Sequence, residues 1–247
     1  MATGARLMIV SVHQPAYLPW LGYFDKIIRS DVFVYLDTVQ FEKNSFINRN
    51  RIKTVQGVAW LTVPVKIKGH FDKTLQEIEI DNTQDWKKKH LRSIYFNYKK
   101  APRFEVCYPK LEALYAKDYL LLSELCWEHL RFWLRELKIN TTLVRASELP
   151  VSGKGSDLIL SLCQHLGAKT YISGCLGRNY LQQKDFHDAG IAVEYQDYRC
   201  FPYPQLWGGF LSHLCIVDFW MNSDEYWRIA NQSNERLFSG VGAALSG

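Results

Sequence analysis

The sequence predicts an α/β protein: a mostly parallel sheet with a helical subdomain inserted in its middle. Three observations carry this. Short apolar runs rich in β-formers alternate with amphipathic helical stretches near both ends of the 247-residue chain. The middle third shows helical periodicity throughout. Gly167 and Gly190 each follow a late amphipathic stretch, where a helix needs a residue that tolerates the left-handed conformation. These features divide the chain into residues 7–80 and 141–237 as two halves of one α/β domain, 81–140 as the helical insert, and 238–247 as a flexible small-residue tail.

The first apolar run, 7–12, reads as a buried parallel strand, and 20–29 as the helix that follows it. Residues 31–37 form a second strand, rich in β-formers and ending in Asp37. Residues 38–53 mix amides and cations with aromatics and lack an apolar period, so they read as a functional loop. A third strand spans 59–65, ended or confined to an edge by Pro64, and 75–80 alternates like a half-exposed strand. Asp81 or Asn82 caps a helix through Trp86, His90 and Ile94; two further helices are expected over 104–116 and 117–137. A strand at 141–145, a helix from Ser156, a strand at 169–174, a helix at 178–189 and a strand at 191–198 restore the alternation. This spacing predicts parallel pairing. Helices at 213–220 and 224–237 close the fold.

Composition narrows the function. The net charge of +5 comes from 30 Lys and Arg against 25 Asp and Glu, short of the basic stripe of a nucleic-acid binder but suited to an anionic small molecule. No apolar stretch approaches the ~20 residues that span a bilayer. Residues 1–6 lack a signal-peptide core, so a cytoplasmic protein with reduced thiols is expected. The six cysteines form no C-x-x-C pair and the histidines are spread singly, which argues against a zinc site.

The chemistry-bearing residues gather at strand ends, where open α/β sheets bind ligands. His13 and Gln14 end the first strand, Asp37 with Gln40 the second, and Ser173-Gly174 a late one. His13 is the candidate general base near neutral pH, with Asp37 to orient it or hold a substrate amine. The other reading of His13 is a buried side chain tied to backbone beside a Pro-kinked turn. Lys43, Asn48, Arg49, Arg51 and Lys53 offer positive charge for an anion, Arg49 by a bidentate grip and Lys43 as a movable point charge; their alternative is a solvated basic loop. The turn Ser173-Gly174-Cys175-Leu176-Gly177-Arg178 is expected to present free N–H groups and Arg178 to a phosphate, or else to be an ordinary turn. Tyr17, Trp20 and Phe46 are candidate walls for ring-shaped substrates. Cys175 stands where a thiol pKa is lowered, though a small turn residue is the simpler reading.

Several of these stretches resemble the WbqC-like protein family: His13-Gln14-Pro15-Ala16-Tyr17-Leu18-Pro19-Trp20-Leu21-Gly22-Tyr23-Phe24, Asp37-Thr38-Val39-Gln40-Phe41, Asn48-Arg49-Asn50-Arg51-Ile52-Lys53, Tyr171-Ile172-Ser173-Gly174 with Tyr180-Leu181, and Asp197-Tyr198. The resemblance implies a part in building bacterial surface polysaccharide (O-antigen), by acyl or aminoacyl transfer to an amino sugar. It supplies no catalytic residue. The opening also resembles nucleotidyltransferases of the HIGH-motif class, whose second histidine is here replaced within Leu18-Pro19-Trp20-Leu21-Gly22-Tyr23. The expected sheet is then Rossmann-like, of nucleotide-binding type. The expected activity is acyl or aminoacyl transfer to the amine of a nucleotide-linked sugar, from a thioester that an acyl carrier protein could present. Nucleotidyl transfer and a non-catalytic sugar-nucleotide-binding scaffold are the alternatives.

Overall fold

A computed structural model describes residues 7–42, 45–66 and 73–229. In chain order the elements are β1 (Ile9–His13), α1 (Leu21–Ile28), β2 (Val32–Tyr35), β3 (Arg49–Thr54), β4 (Gly57–Thr62), α2 (Trp86–Tyr98), α3 (Phe104–Tyr115), α4 (Leu122–Glu136), β5 (Thr142–Arg145), α5 (Gly155–His165), β6 (Thr170–Ser173), α6 (Gln183–Asp188), β7 (Ala192–Tyr195) and α7 (Ile216–Asn222).

β1, β2, β5, β6 and β7 make one sheet in the order β5-β2-β1-β6-β7, with every pairing parallel. Counting only its own strands, that order is 3-2-1-4-5, the Rossmann-like arrangement. Alternation along the strands sorts the side chains between two cores. Val10, Val12, Val32 and Val34 face Leu158, Ile159 and Leu162 of α5 and Phe186 of α6. Phe33 and Tyr35 face the opposite core with Phe24 and Ile27 of α1 and Trp220 of α7. The buried residues of α2, α3 and α4 join that second core. Tyr35 donates from its hydroxyl to the Ser123 carbonyl at 2.7 Å and packs on Trp127, which seats α4 over β2. Among the described residues no helix is long and apolar enough to cross a membrane.

Several expectations need correction. Residues 49–54 are strand, not loop: β3 pairs antiparallel with β4 from Arg49↔Thr62 to Thr54↔Gly57. Its period of two was masked because Asn50 fills a fully buried position. The expected third strand is therefore β4, a hairpin partner outside the central sheet. Residues 75–80 make a 3₁₀ turn at Leu75–Glu77, closed by a Thr74/Glu77 capping box, and then only single bridges, Val65↔Ile80 and Glu79↔Leu121. The expected 178–189 helix splits into a 3₁₀ turn, Cys175–Asn179, and α6. Of the expected 224–237 helix, residues 224–229 fall within the described residues and are helical from 227; the rest and the tail lie outside them.

Candidate functional site

The chain builds outward from β1 in one direction through β2 and β5, and in the other through β6 and β7. Connections leaving the carboxyl ends of β1 and β6 therefore diverge, and a parallel sheet opens its crevice at that point. His13-Gln14 and Ser173-Gly174 stand there. Gly174 has open space above it: a Cβ at that position would meet nothing within 4 Å. Gly177, by contrast, is pressed onto the strand end, where a Cβ would come within 2.0 Å of Ser173 Oγ.

His13 is half-buried, with its ring against Tyr23 at 4.7 Å and edge-on to Trp20 at 5.8 Å. Its Nδ1 lies 3.0 Å from the Gln14 carbonyl, which also accepts the Tyr23 hydroxyl at 3.1 Å. A carbonyl only accepts, so Nδ1 carries the proton and Nε2 presents its lone pair. Burial, and then the Lys26 ammonium, pull the imidazole down to about 3 against the opposing Gln14 bond, so it is neutral at physiological pH. Lys26 itself is buried in α1 beneath the end of β1, and burial pulls it down to about 7.

The loop after His13 is held from the hairpin. Asn50 Nδ2 donates to the Leu18 carbonyl at 2.8 Å and the Tyr17 carbonyl at 3.3 Å, while Tyr17 N–H donates to the Phe46 carbonyl at 3.0 Å. These bonds hold Leu18 in the left-handed region, with φ of 45°, a conformation that costs a non-glycine residue free energy. From Trp20 a run of rings continues across the surface: Phe46 at 5.4 Å, then Trp60 at 5.9 Å from Phe46. The Arg49 guanidinium lies 4.4 Å from the Trp60 ring and that of Arg51 5.7 Å. Phe46 and Trp60 are exposed, so the switch point is continued by a platform that offers flat faces and two cations together.

Other expected site residues serve the fold. Asp37 turns away from His13 toward β5: its carboxylate accepts Ser147 N–H at 3.0 Å and Ser147 Oγ–H at 2.8 Å, so it does not orient the imidazole. Tyr17 is fully buried, with its hydroxyl on His90 Nδ1 and Tyr115, and walls no opening. Asn48 is buried and donates to the Val63 carbonyl at 2.9 Å. Exposed Gln40 bridges Thr74 through its backbone. Arg178 stacks over Tyr195 at 4.1 Å, toward β7, and no α-helix N-terminus follows Gly174. Buried Lys53 reaches the 205–209 loop. Lys43 lies outside the described residues. The sequence alone does not single out Lys26, Asn50 or Trp60. A cation sharing a helix face with Tyr23 and Ile27, both apolar and buried, was the available signal for Lys26.

A cavity of about 630 Å³ lies at the opposite edge, among Ser30, Asp31, Asn140 and Trp227. It sits at the amino ends of β2 and β5, away from the diverging connections, and Asp31 there accepts the Ile9 N–H. The crevice between β1 and β6 is the stronger candidate because it unites an imidazole nitrogen with no partner among the described residues, a buried lysine and open space over Gly174.

The WbqC-like family model matches residues 14–227, from the residue after His13 to the last described turn. The chain belongs to the WbqC-like protein family. Uncharacterized protein Rv1507c of Mycobacterium tuberculosis is 37% identical over 215 residues, covering 86% of this chain and 93% of that protein. No solved structure matches.

Proposed function

We propose that this WbqC-like protein is a transferase that places an acyl or aminoacyl group on the amine of a nucleotide-linked amino sugar, in the assembly of bacterial surface polysaccharide. The observation that carries this reading is His13 at the sheet's switch point, its Nδ1–H committed to the Gln14 carbonyl and its Nε2 free to accept a proton. In the free protein the imidazole is a weak base. Phosphates arriving with the substrate raise its proton affinity, which couples base strength to occupancy of the site. Nε2 then takes the proton that the sugar amine loses as its nitrogen bonds to the donor's carbonyl carbon and the donor thiolate leaves. Trp20, Phe46 and Trp60 supply ring faces, and Arg49 and Arg51 the charge beside them. The thioester donor, presented by an acyl carrier protein, enters over exposed Cys175.

The test is incubation of purified protein with nucleotide-linked amino sugars and acyl or aminoacyl thioesters, read by mass spectrometry. The expected result is an acyl or aminoacyl mass increment that forms at least about 100-fold more slowly with His13→Ala. No increment in any pairing, or full turnover by His13→Ala, overturns the reading. The 3-2-1-4-5 strand order favours one second reading, nucleotidyl transfer. Magnesium-dependent release of pyrophosphate from a nucleoside triphosphate is its signature.

A further inference from the structure

Lys26 is a buried cation with one partner. It lies on α1 with Tyr23 and Ile27 and is 2% exposed. Nζ donates to the Val12 carbonyl at 2.9 Å and makes no other hydrogen bond among the described residues. Protonated, it has three N–H donors, two of them unused. Burial pulls it down to about 7, so it is only partly charged in the free protein, and an anion beside it would hold the proton on. Among the described residues no carboxylate pairs with it. The groups within its electrostatic reach are His13 and Cys175, one from each side of the switch point. Nζ sits against the Val12 carbonyl at the carboxyl end of β1, the strand that borders β6.

Fold stability does not explain such a group. A buried charge is costly unless it is paired and its donors are satisfied, and an apolar side chain of the same length would cap nothing worse than one carbonyl. We propose that Lys26 is the anion-binding residue of the switch point, taking phosphate oxygens of a nucleoside diphosphate laid across the ends of β1 and β6. The inference deepens the transferase reading by naming the residue that would hold the nucleotide's phosphates, and rests on that reading for the choice of diphosphate. The unused donors face a ligand charge that replaces the missing carboxylate. The nucleoside then extends toward Trp20, Phe46 and Trp60.

Calorimetric titration of the full chain with UDP and with inorganic pyrophosphate tests this, alongside thermal unfolding of the free proteins. Lys26→Met keeps an unbranched side chain, one heavy atom shorter, and removes the charge. It should weaken both ligands by about tenfold or more while the free variant unfolds at the same temperature as the wild type or higher. Lys66→Met removes an exposed charge elsewhere and should leave both affinities unchanged. If Lys26→Met does not fold, Gly174→Val fills the space above the strand end without touching Lys26, and should weaken both ligands in a normally folded protein. The proposal fails if the wild type binds neither ligand, if Lys26→Met or Gly174→Val binds like the wild type, or if Lys26→Met only lowers the unfolding temperature. Lys26-dependent diphosphate binding without acyl transfer would uphold this inference and sink the transferase reading. Transfer undiminished in Lys26→Met would do the reverse.

Discussion

Two lysines of this protein are equally buried, each 2% exposed, yet they are satisfied very differently. Lys53 on β3 donates to Gln205 Oε1 at 3.0 Å and to the Gly209 carbonyl at 2.5 Å. Asp218 is within its electrostatic reach and in turn accepts from the Tyr98 and Tyr203 hydroxyls and from Gln205 Nε2, each at 2.8 Å. That network ties the hairpin, α2, the 203–209 loop and α7 together. Lys26 has the Val12 carbonyl alone among the described residues. Burial does not tell a structural charge from a functional one; the count of unmet donors does. The same contrast separates Asp37, whose carboxylate is spent on Ser147, from His13, whose Nε2 is spent on nothing among the described residues.

The sharpest way to break this comparison is to delete both lysines in the same manner. Lys53→Met leaves Asp218 buried without its cation and strands two acceptors, so it should cost about 3–5 kcal/mol in urea unfolding. Lys26→Met strands only the Val12 carbonyl and removes a costly buried amine, so the two should offset and leave unfolding close to the wild type. Equal losses would show that the unmet donors of Lys26 carry no information. The carboxyl edge of the sheet allows a second pairing. His13→Ala should lower turnover of the substrate pair identified by mass spectrometry by about 100- to 10,000-fold. Asp37→Ala should instead act on stability, by about 1–3 kcal/mol for the two donors of Ser147 it leaves unpaired, with turnover per folded molecule nearly kept. A reversal of the two phenotypes would restore Asp37 to the site.

Much of this was legible in the sequence, and the exceptions have physical causes. The inner parallel strands β1, β2 and β6 read as runs of β-formers, because a strand buried on both faces has nearly continuous apolar sequence, whereas the edge strands β5 and β7 are half-exposed and mix in polar residues. β3 did not, since Asn50 takes a buried position in order to bond loop carbonyls. Asp37 was placed correctly at a strand end, but the sequence does not say which neighbour a strand-end side chain faces. That follows from β2 lying between β1 and β5. Arg49 and Arg51 were picked out for charge, whereas their shared platform, Trp60, is on β4 and meets them only through hairpin register.

A third test concerns histidines with no proposed ligand role. Burial pulls His90 down to about 4 and His129 to about 3, and neither ring nitrogen of His129 has a hydrogen-bond partner among the described residues. Both imidazoles are harder to protonate folded than unfolded. Below pH 6.5 the unfolded chain therefore binds more protons, and stability falls as pH drops toward 4. Each histidine should add about 1.4 kcal/mol per pH unit to that slope. His129→Leu should flatten the slope by one histidine's share in denaturant titrations at stepped pH. An unchanged slope would mean that this ring is not held neutral by its surroundings.

The smallest expected effect discriminates most finely between the two parts of the proposed ligand site. Trp60 is 46% exposed and forms the middle of the platform, with Phe46 on one side and Arg49 over its face. Removing it takes away a ring face but no phosphate donor. Trp60→Ala should weaken UDP binding by about threefold to tenfold, the range of a single aromatic contact, and leave pyrophosphate unaffected. Lys26→Met should weaken both ligands alike, because each presents a diphosphate to the same ammonium. If Trp60→Ala also weakened pyrophosphate, the phosphates would lie on Arg49 and Arg51 rather than over Lys26, and the buried lysine would lose its ligand to the hairpin.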